Sequence, residues 1–235
     1  MGHMNEKLKA LKAAFPGTIP VMTGFLFLGM TYGILMKVSG FPVWLSVLIS
    51  AVVFAGSMQF VAVDILLGAF NPLQALLMTL MINARHIFYG IAMLSKYKGT
   101  GIFKPYLIFG MCDESFSINC SVDIPKDVDR NWFMFFVTLL DQTYWVAGTA
   151  IGAIFGSFVT FNTKGLDFVM TAMFAVIFLE QIISEKDHTL SLTGLGASIL
   201  CLVIFGPDSF IIPAMILIFA LLALLRGHLT GKGAV

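Results

Sequence analysis

Asn83-Ala-Arg-His-Ile-Phe-Tyr89 stands inside an apolar segment. Pro72 to Ile82 before it is mostly Leu, Met, Ala and Ile, and Gly90-Ile-Ala-Met-Leu94 follows it. An arginine and a histidine thus lie well within what reads as a membrane-spanning helix. Arginine at the centre of such a helix costs roughly 2.5–3.5 kcal/mol even on a lenient scale. A chain that keeps this group uses it, or pairs it with something that is used. The stretch predicts a polytopic membrane protein with a polar interior, and transport is the function class it points to first.

The rest of the chain agrees. Its 235 residues are 58% hydrophobic and only 11% charged, with 23 Phe. Soluble domains carry about 25% charged residues, so this composition lies far outside their range. At about 20 apolar residues per span, seven to eight spans with short loops fill the chain and leave no room for an extramembrane domain. A net charge of +1 excludes a nucleic-acid binder, which needs a basic patch. Cys112, Cys120 and Cys201 lie in or beside apolar segments without metal-ligand or disulfide spacing, and read as small buried side chains. No cofactor or metal motif is visible. Met1-Gly2-His3 reads as a leftover of an expression vector, with residues 4–235 forming one transmembrane domain and the first apolar segment too long for a removed signal.

The expected fold is an all-α transmembrane bundle. Span 1 runs from about Pro16 to Met36, and span 2 from Val43 to Phe70. Span 2 exceeds what a bilayer needs, so it either tilts strongly or breaks near Gly56-Ser57 into two half-helices. Span 3 is Leu73 to Leu94. Span 4, Phe103 to Cys120, is marginal because Asp113 and Glu114 lie inside it. Span 5 is Trp132 to Phe158, span 6 Asp167 to Ile183, span 7 Leu190 to Phe205 and span 8 Phe210 to Leu225. Eight spans with a cytoplasmic N-terminus put Lys7, Lys9, Lys12, Lys126, Arg130, Lys186, Arg226 and Lys232 inside. Lys37, Lys96, Lys98, Lys104 and Lys164 then lie outside, a weak bias in the expected direction. A re-entrant span 2 moves Lys96, Lys98 and Lys104 inside and swaps the later loops.

Two features hint at duplication. Gly29-x-x-x-Gly33 is echoed by Gly148-x-x-x-Gly152, and Ala51-Val-Val-Phe54 by Ala175-Val-Ile-Phe178, with Gln59 and Gln181 after them. Transporters are often built from such repeats, with the site between them; chance similarity among apolar residues is the other reading. Gly148, Gly152 and Gly156 share one helix face, where small residues let backbones approach. They mark tight packing or a contact that rocks.

Gln59, Asp64, Asn83, Arg85, His86, Asp113, Glu114, Asp141, Gln142, Glu180 and Gln181 are the polar groups within apolar segments. Arg85 needs an acid, a ligand carboxylate or water. Asp113, Glu114 and Asp141 are the deep acids. Arg85 with one of them forms either a structural ion pair or the lining of a cavity. His86 is the side chain whose unperturbed titration lies near neutrality. Phe54-Ala-Gly-Ser-Met-Gln-Phe60 has the makings of an unwound helix or of a plain kink. Broken helices turn backbone groups and helix ends toward substrate charges.

Several of these motifs together resemble the AzlC family, the large subunit of bacterial branched-chain amino acid exporters of the LIV-E type. The resemblance rests on Phe15-Pro-Gly17, Gly29-x-x-x-Gly33, Val53-Phe-Ala-Gly-Ser-Met-Gln-Phe60 and Ile82-Asn-Ala-Arg-His86 with Tyr89. It rests also on Asp113-Glu-Ser-Phe116, Trp145 with the Gly148 series, and Leu166-Asp-Phe168. It covers about Phe15 to Leu225. The acidic stretch Glu180 to His188 departs from the family pattern. The resemblance implies export of leucine, isoleucine, valine or analogues from the bacterial cytoplasm across the inner membrane. It also implies coupling to protons and a small AzlD-type membrane subunit as partner. A zwitterionic apolar substrate needs a cation, an acid and an apolar pocket. Arg85, Asp113 and Glu114, with Asn83, Gln59, Ser57 and the break at Gly56, are the expected binding residues. His86, Asp141 and Asp113 are the expected proton carriers.

Two other classes are weighed against transport. One is an assembly subunit that moves nothing by itself. The other is an intramembrane hydrolase using Asp113 with Asp141, or Ser57 with His86; no motif surrounds either pair, and an enzyme is not expected.

Overall fold

The computed structural model describes residues 2–69, 71–122, 124–158 and 188–206, with scattered positions between 172 and 221. Every regular element among them is a helix. The contacts divide the chain into two units, Met1–Asp167 and Phe168–Val235. Most of span 6, about half of span 8, the middle of the Ala175–Phe178 echo, Glu180 and Gln181 fall outside the described residues. In the second unit, α9 (Thr189–Phe205) matches span 7 and buries Cys201 and Ala197.

The first unit is built on two long helices, α1 (Gly2–Val38) and α8 (Arg130–Phe155). They run parallel. Lys7 lies over the Trp132 ring and Lys9 pairs with Asp127 at one end. Thr18 and Tyr144 share a hydrogen bond further along. The glycine stripes then meet face to face. A Cβ on Gly29 would lie 2.7 Å from the Trp145 carbonyl oxygen, and one on Gly148 would lie 2.7 Å from that of Leu26. Gly33 and Gly152 are tighter still, against the backbones of Thr149 and Met30. The two halves of the sequence echo are thus each other's packing partners.

Only Glu6–Val38 among the described helices is both long and apolar enough to cross a membrane by itself. Spans 2, 3 and 4 are each made of two pieces, where seven to eight continuous spans would need whole ones. Span 2 is α2 (Val43–Val52) and α3 (Gly56–Leu67), so of the two readings the break is the one found. Phe54 at the break has φ +42°, a left-handed conformation costly for a bulky residue. Span 3 is α4 (Pro72–Asn83) and α5 (Arg85–Met93), with Ala84 between them still in right-handed helical torsions. That junction is a tightened turn: the Ile87 N–H reaches the Ala84 carbonyl at 3.1 Å, three residues back. Span 4 is α6 (Lys104–Phe109) and α7 (Asp113–Ser121).

Both α2–α3 and α6–α7 fold back on themselves. Alongside α8, Phe103 packs on Trp132, Tyr106 on Phe135 and Gly110 against Thr138, so α6 climbs in the direction of α8. Then α7 descends. Ile118 joins the core of Met93, Tyr97, Leu107, Phe133, Met134 and Val137, and the Lys96 ammonium holds the Asn119 and Cys120 carbonyls. From the opposite end, α2 runs in along α8 and α3 runs out, bringing Phe60 onto Tyr32. The helix α4–α5 joins the two hairpins from end to end.

This geometry corrects the charge assignment made for eight spans. Lys96 cannot lie opposite Arg130, because the Arg130 guanidinium donates to the Lys96 carbonyl at 2.6 Å. Lys7, Lys9, Lys96 and Arg130 gather at one end by direct contact, and Lys98 and Lys104 belong to the same connection. Nor do the later loops swap, because α6–α7 also turns back and returns Lys126 and Arg130 to that end.

Candidate functional site

Three helix starts converge in the middle of the first unit. They are Gly56-Ser57 of α3, Arg85 of α5 and Asp113 of α7. The α7 start is fixed locally: the Cys112 N–H donates to the Ser115 hydroxyl at 2.9 Å, one half of a capping box. Acids in a first helical turn also meet the positive end of the helix dipole, which suits Asp113 and Glu114.

Arg85 Nη1 lies 2.7 Å from Asp113 Oδ2, and Arg85 Nη2 donates to the Ser57 hydroxyl at 3.4 Å. The two charged side chains are 35% and 33% exposed, so the pair sits at a wall and not in a sealed core. Arg85 Nε and Asp113 Oδ1 are themselves buried and make no close hydrogen bond, and the Tyr89 hydroxyl is a further hydrogen-bonding neighbour of the Asp113 carboxyl. Tyr89 stacks on Phe116 at 4.5 Å and meets His86 edge-on at 5.7 Å, giving the site an aromatic flank.

The other expected residues divide. His86 Nδ1 is 3.2 Å from the Asn83 backbone carbonyl. Glu114 stands next to Asp113 but falls within electrostatic range of Asp141. Asp141 is fully buried on α8 with neither carboxyl oxygen partnered, and Cys112 and Tyr106 are in range of it. Neither hydrolase pair is assembled by a hydrogen bond: Ser57 faces Arg85, and Asp113 is taken by Arg85.

Gln59 and Gly56 serve the break itself. The Gln59 amide is fully buried; it accepts from Trp145 Nε1 at 2.8 Å and donates to Ser50 at 3.1 Å. Ser50 in turn bonds Thr149 at 2.8 Å. The Trp145 ring lies 3.0 Å from where a Gly56 Cβ would be, so a larger residue there would have to displace the ring by a few tenths of an ångström. Gln142 makes a second tie, accepting from the Tyr106 hydroxyl at 2.6 Å and donating to the Ala51 carbonyl at 2.9 Å. One α8 side chain thus links both hairpins. Ser50 and Thr149 are neighbours that carry no sequence signal beyond their residue type, and Tyr89 and Phe116 stand in the sequence only as parts of the family motifs.

The Trp145 bond has a measurable consequence. Trp145→Phe leaves the Gln59 oxygen buried without a donor, which costs about 1–3 kcal/mol. A lowered melting temperature in detergent is the expected result. An unchanged one means the bond does not hold the break.

The family described as AzlC protein matches residues 20–159. A Bacillus subtilis (strain 168) protein named branched-chain amino acid transport protein AzlC is 60% identical over 95% of this chain and 89% of its own length. An uncharacterized membrane protein of Haemophilus influenzae is 47% identical over 94% of this chain and 91% of its own. The inner membrane protein YgaZ of Escherichia coli is 26% identical over 85% and 82%. No solved structure matches. The apolar helices and the membrane proteins among these relatives agree, and the chain is a membrane protein that belongs to the AzlC family.

Proposed function

We propose that this chain exports branched-chain amino acids across the bacterial cytoplasmic membrane, coupled to protons, as the large subunit beside a small AzlD-type subunit. The observation that carries the reading is the part-exposed Arg85–Asp113 pair, a cation and an acid side by side where three helix starts meet. The carboxylate of an amino acid suits the Arg85 guanidinium, and its ammonium suits the Asp113 carboxylate. Tyr89 stacked on Phe116 offers an apolar side chain an aromatic wall. The name of the Bacillus subtilis relative supports the substrate class.

In this reading α1, α4–α5 and α8 cross the bilayer and the two hairpins enter it from opposite faces. The end bearing Lys7, Lys9, Lys96, Lys98, Lys104, Lys126 and Arg130 is then cytoplasmic, as the distribution of positive charge in membrane proteins favours. Half-helix starts meeting at mid-depth suit a substrate site. Asp141 carries the coupling proton in this reading: burying an ionised carboxylate without a partner is costly, and Glu114, next to Asp113 in the chain, lies within electrostatic range of it.

Counterflow of labelled leucine in proteoliposomes, with and without the small subunit, tests this. Saturable uptake competed by isoleucine and valine and driven by an imposed pH gradient is expected. Asp141→Asn is expected to keep counterflow and to lose the response to the gradient. Uptake by neither preparation of folded protein sinks the amino acid assignment. A full gradient response in Asp141→Asn moves the proton elsewhere.

A further inference from the structure

Two residues of α5 and two of α7 meet as a pair of rungs. Arg85 and Tyr89 are four apart on α5, and Asp113 and Phe116 are three apart on α7. Both spacings put the two residues on one helix face. The first rung is the Arg85–Asp113 ion pair at 2.7 Å. The second is the Tyr89 ring stacked on Phe116, with centroids 4.5 Å apart and planes 16° from parallel. Both rings also lean on the core that includes Met93, Leu107 and Ile118, so packing holds the second rung in place.

The Tyr89 hydroxyl crosses from the second rung to the first, where it is a hydrogen-bonding neighbour of the Asp113 carboxyl. Stacking alone does not need it. The chain has 23 Phe and 5 Tyr, and phenylalanine would stack on Phe116 without carrying a polar group into an apolar segment. An ionised carboxylate only accepts, at about four lone-pair positions. The Arg85 guanidinium and the Tyr89 hydroxyl are donors from one face of α5, and together they set the orientation of the carboxyl. A binding group held by neighbours that are themselves locked by packing is what a precise site requires. Asp113 is part exposed, so the acid oriented in this way still meets what enters the site.

We infer that Tyr89 is the positioning residue for the ammonium end of the substrate: its hydroxyl sets the Asp113 carboxyl, while its ring belongs to the wall that the substrate side chain meets. The inference rests on the exporter reading and extends it to a residue that acts through Asp113. Tyr89→Phe keeps the stack and removes the hydroxyl. In proteoliposome counterflow it is expected to raise the half-saturation concentrations of leucine, isoleucine and valine by one common factor, because all three carry the same ammonium. That factor is about tenfold, the size of a lost hydrogen bond to a charged group. The effect falls on half-saturation more than on maximal rate, and the melting temperature stays within a few degrees of the parent's. Phe116→Leu is the contrast, expected to shift the three substrates by unequal factors, since it changes the wall and leaves the hydroxyl. Titrating leucine against the melting temperature in detergent is expected to show the same weakening in Tyr89→Phe without any transport step. Unchanged half-saturation in Tyr89→Phe, unequal factors among the three substrates, or a lowered melting temperature with only the maximal rate reduced overturns the inference. Counterflow by the parent leaves the exporter reading standing in each of these cases. A parent that neither takes up leucine nor is stabilised by it sinks the exporter reading, and this inference with it.

Discussion

Gly152→Leu is expected to abolish the folded protein, seen as loss of the monodisperse peak after detergent extraction. Any Cβ at this position falls on the Met30 carbonyl, with the Met30 Cα and carbonyl carbon 2.6 Å away. These are backbone atoms of a helix and cannot turn aside as a side chain can. Overpacking that side chains can absorb costs about 1–3 kcal/mol. Here α1 and α8 must separate, and Gly33 opposes the same contact with the Thr149 and Ala153 backbone. Separation also pulls Thr149 and Trp145 from Ser50 and Gln59, so the α2–α3 break loses its support. Whole domains are stable by only about 5–15 kcal/mol. Gly24 is the control: nothing lies within 4 Å of its Cβ, and Gly24→Ala is expected to melt within a few degrees of the parent. A normal yield and melt for Gly152→Leu would mean that the glycine stripes do not face each other.

The stripes also show what a sequence can and cannot convey. Glycines four apart announce a close approach, because nothing else explains losing side chains on one face of a helix. They do not say which stripe meets which. Arg85 is legible for a related reason. A charge in apolar sequence must have a partner, and Asp113 was one of three deep acids that could serve. The fold-back of α6–α7 was not legible. A polar break in an apolar run weakens a helix, but whether the chain continues or reverses is decided elsewhere. Here it is decided by Phe103 on Trp132 and by Lys96 at the end of α7, contacts between residues about thirty positions apart in sequence for the first pair and 24 for the second. A polar amide such as Gln59 within an apolar segment invites a substrate role on sequence alone. Its hydrogen-bond partners in the protein, Ser50 and Trp145, lie 9 and 86 residues away, beyond any local pattern.

Arg85→Ala is expected to reduce leucine counterflow about thirty-fold or more, since truncating one partner of a hydrogen-bonded charge pair costs about 2–5 kcal/mol. The loss alone would not separate a substrate role from a structural one, because Asp113 is left without its cation in either case. Arg85→Lys is the finer probe. Lysine keeps the charge but is a point donor, whereas the guanidinium reaches Asp113 and Ser57 through different nitrogens. A substrate role predicts a folded Arg85→Lys protein with a raised half-saturation concentration for leucine. The decisive variant exchanges the pair, Arg85→Asp with Asp113→Arg. If the pair only holds α5 to α7, the exchange restores both folding and counterflow. If each partner faces one end of a zwitterion, the exchange restores folding alone, because the substrate would meet an acid at its carboxylate and a cation at its ammonium. Measured together, melting temperature and counterflow therefore distinguish the two roles. Normal transport in folded Arg85→Ala and Arg85→Lys would remove Arg85 from the substrate path.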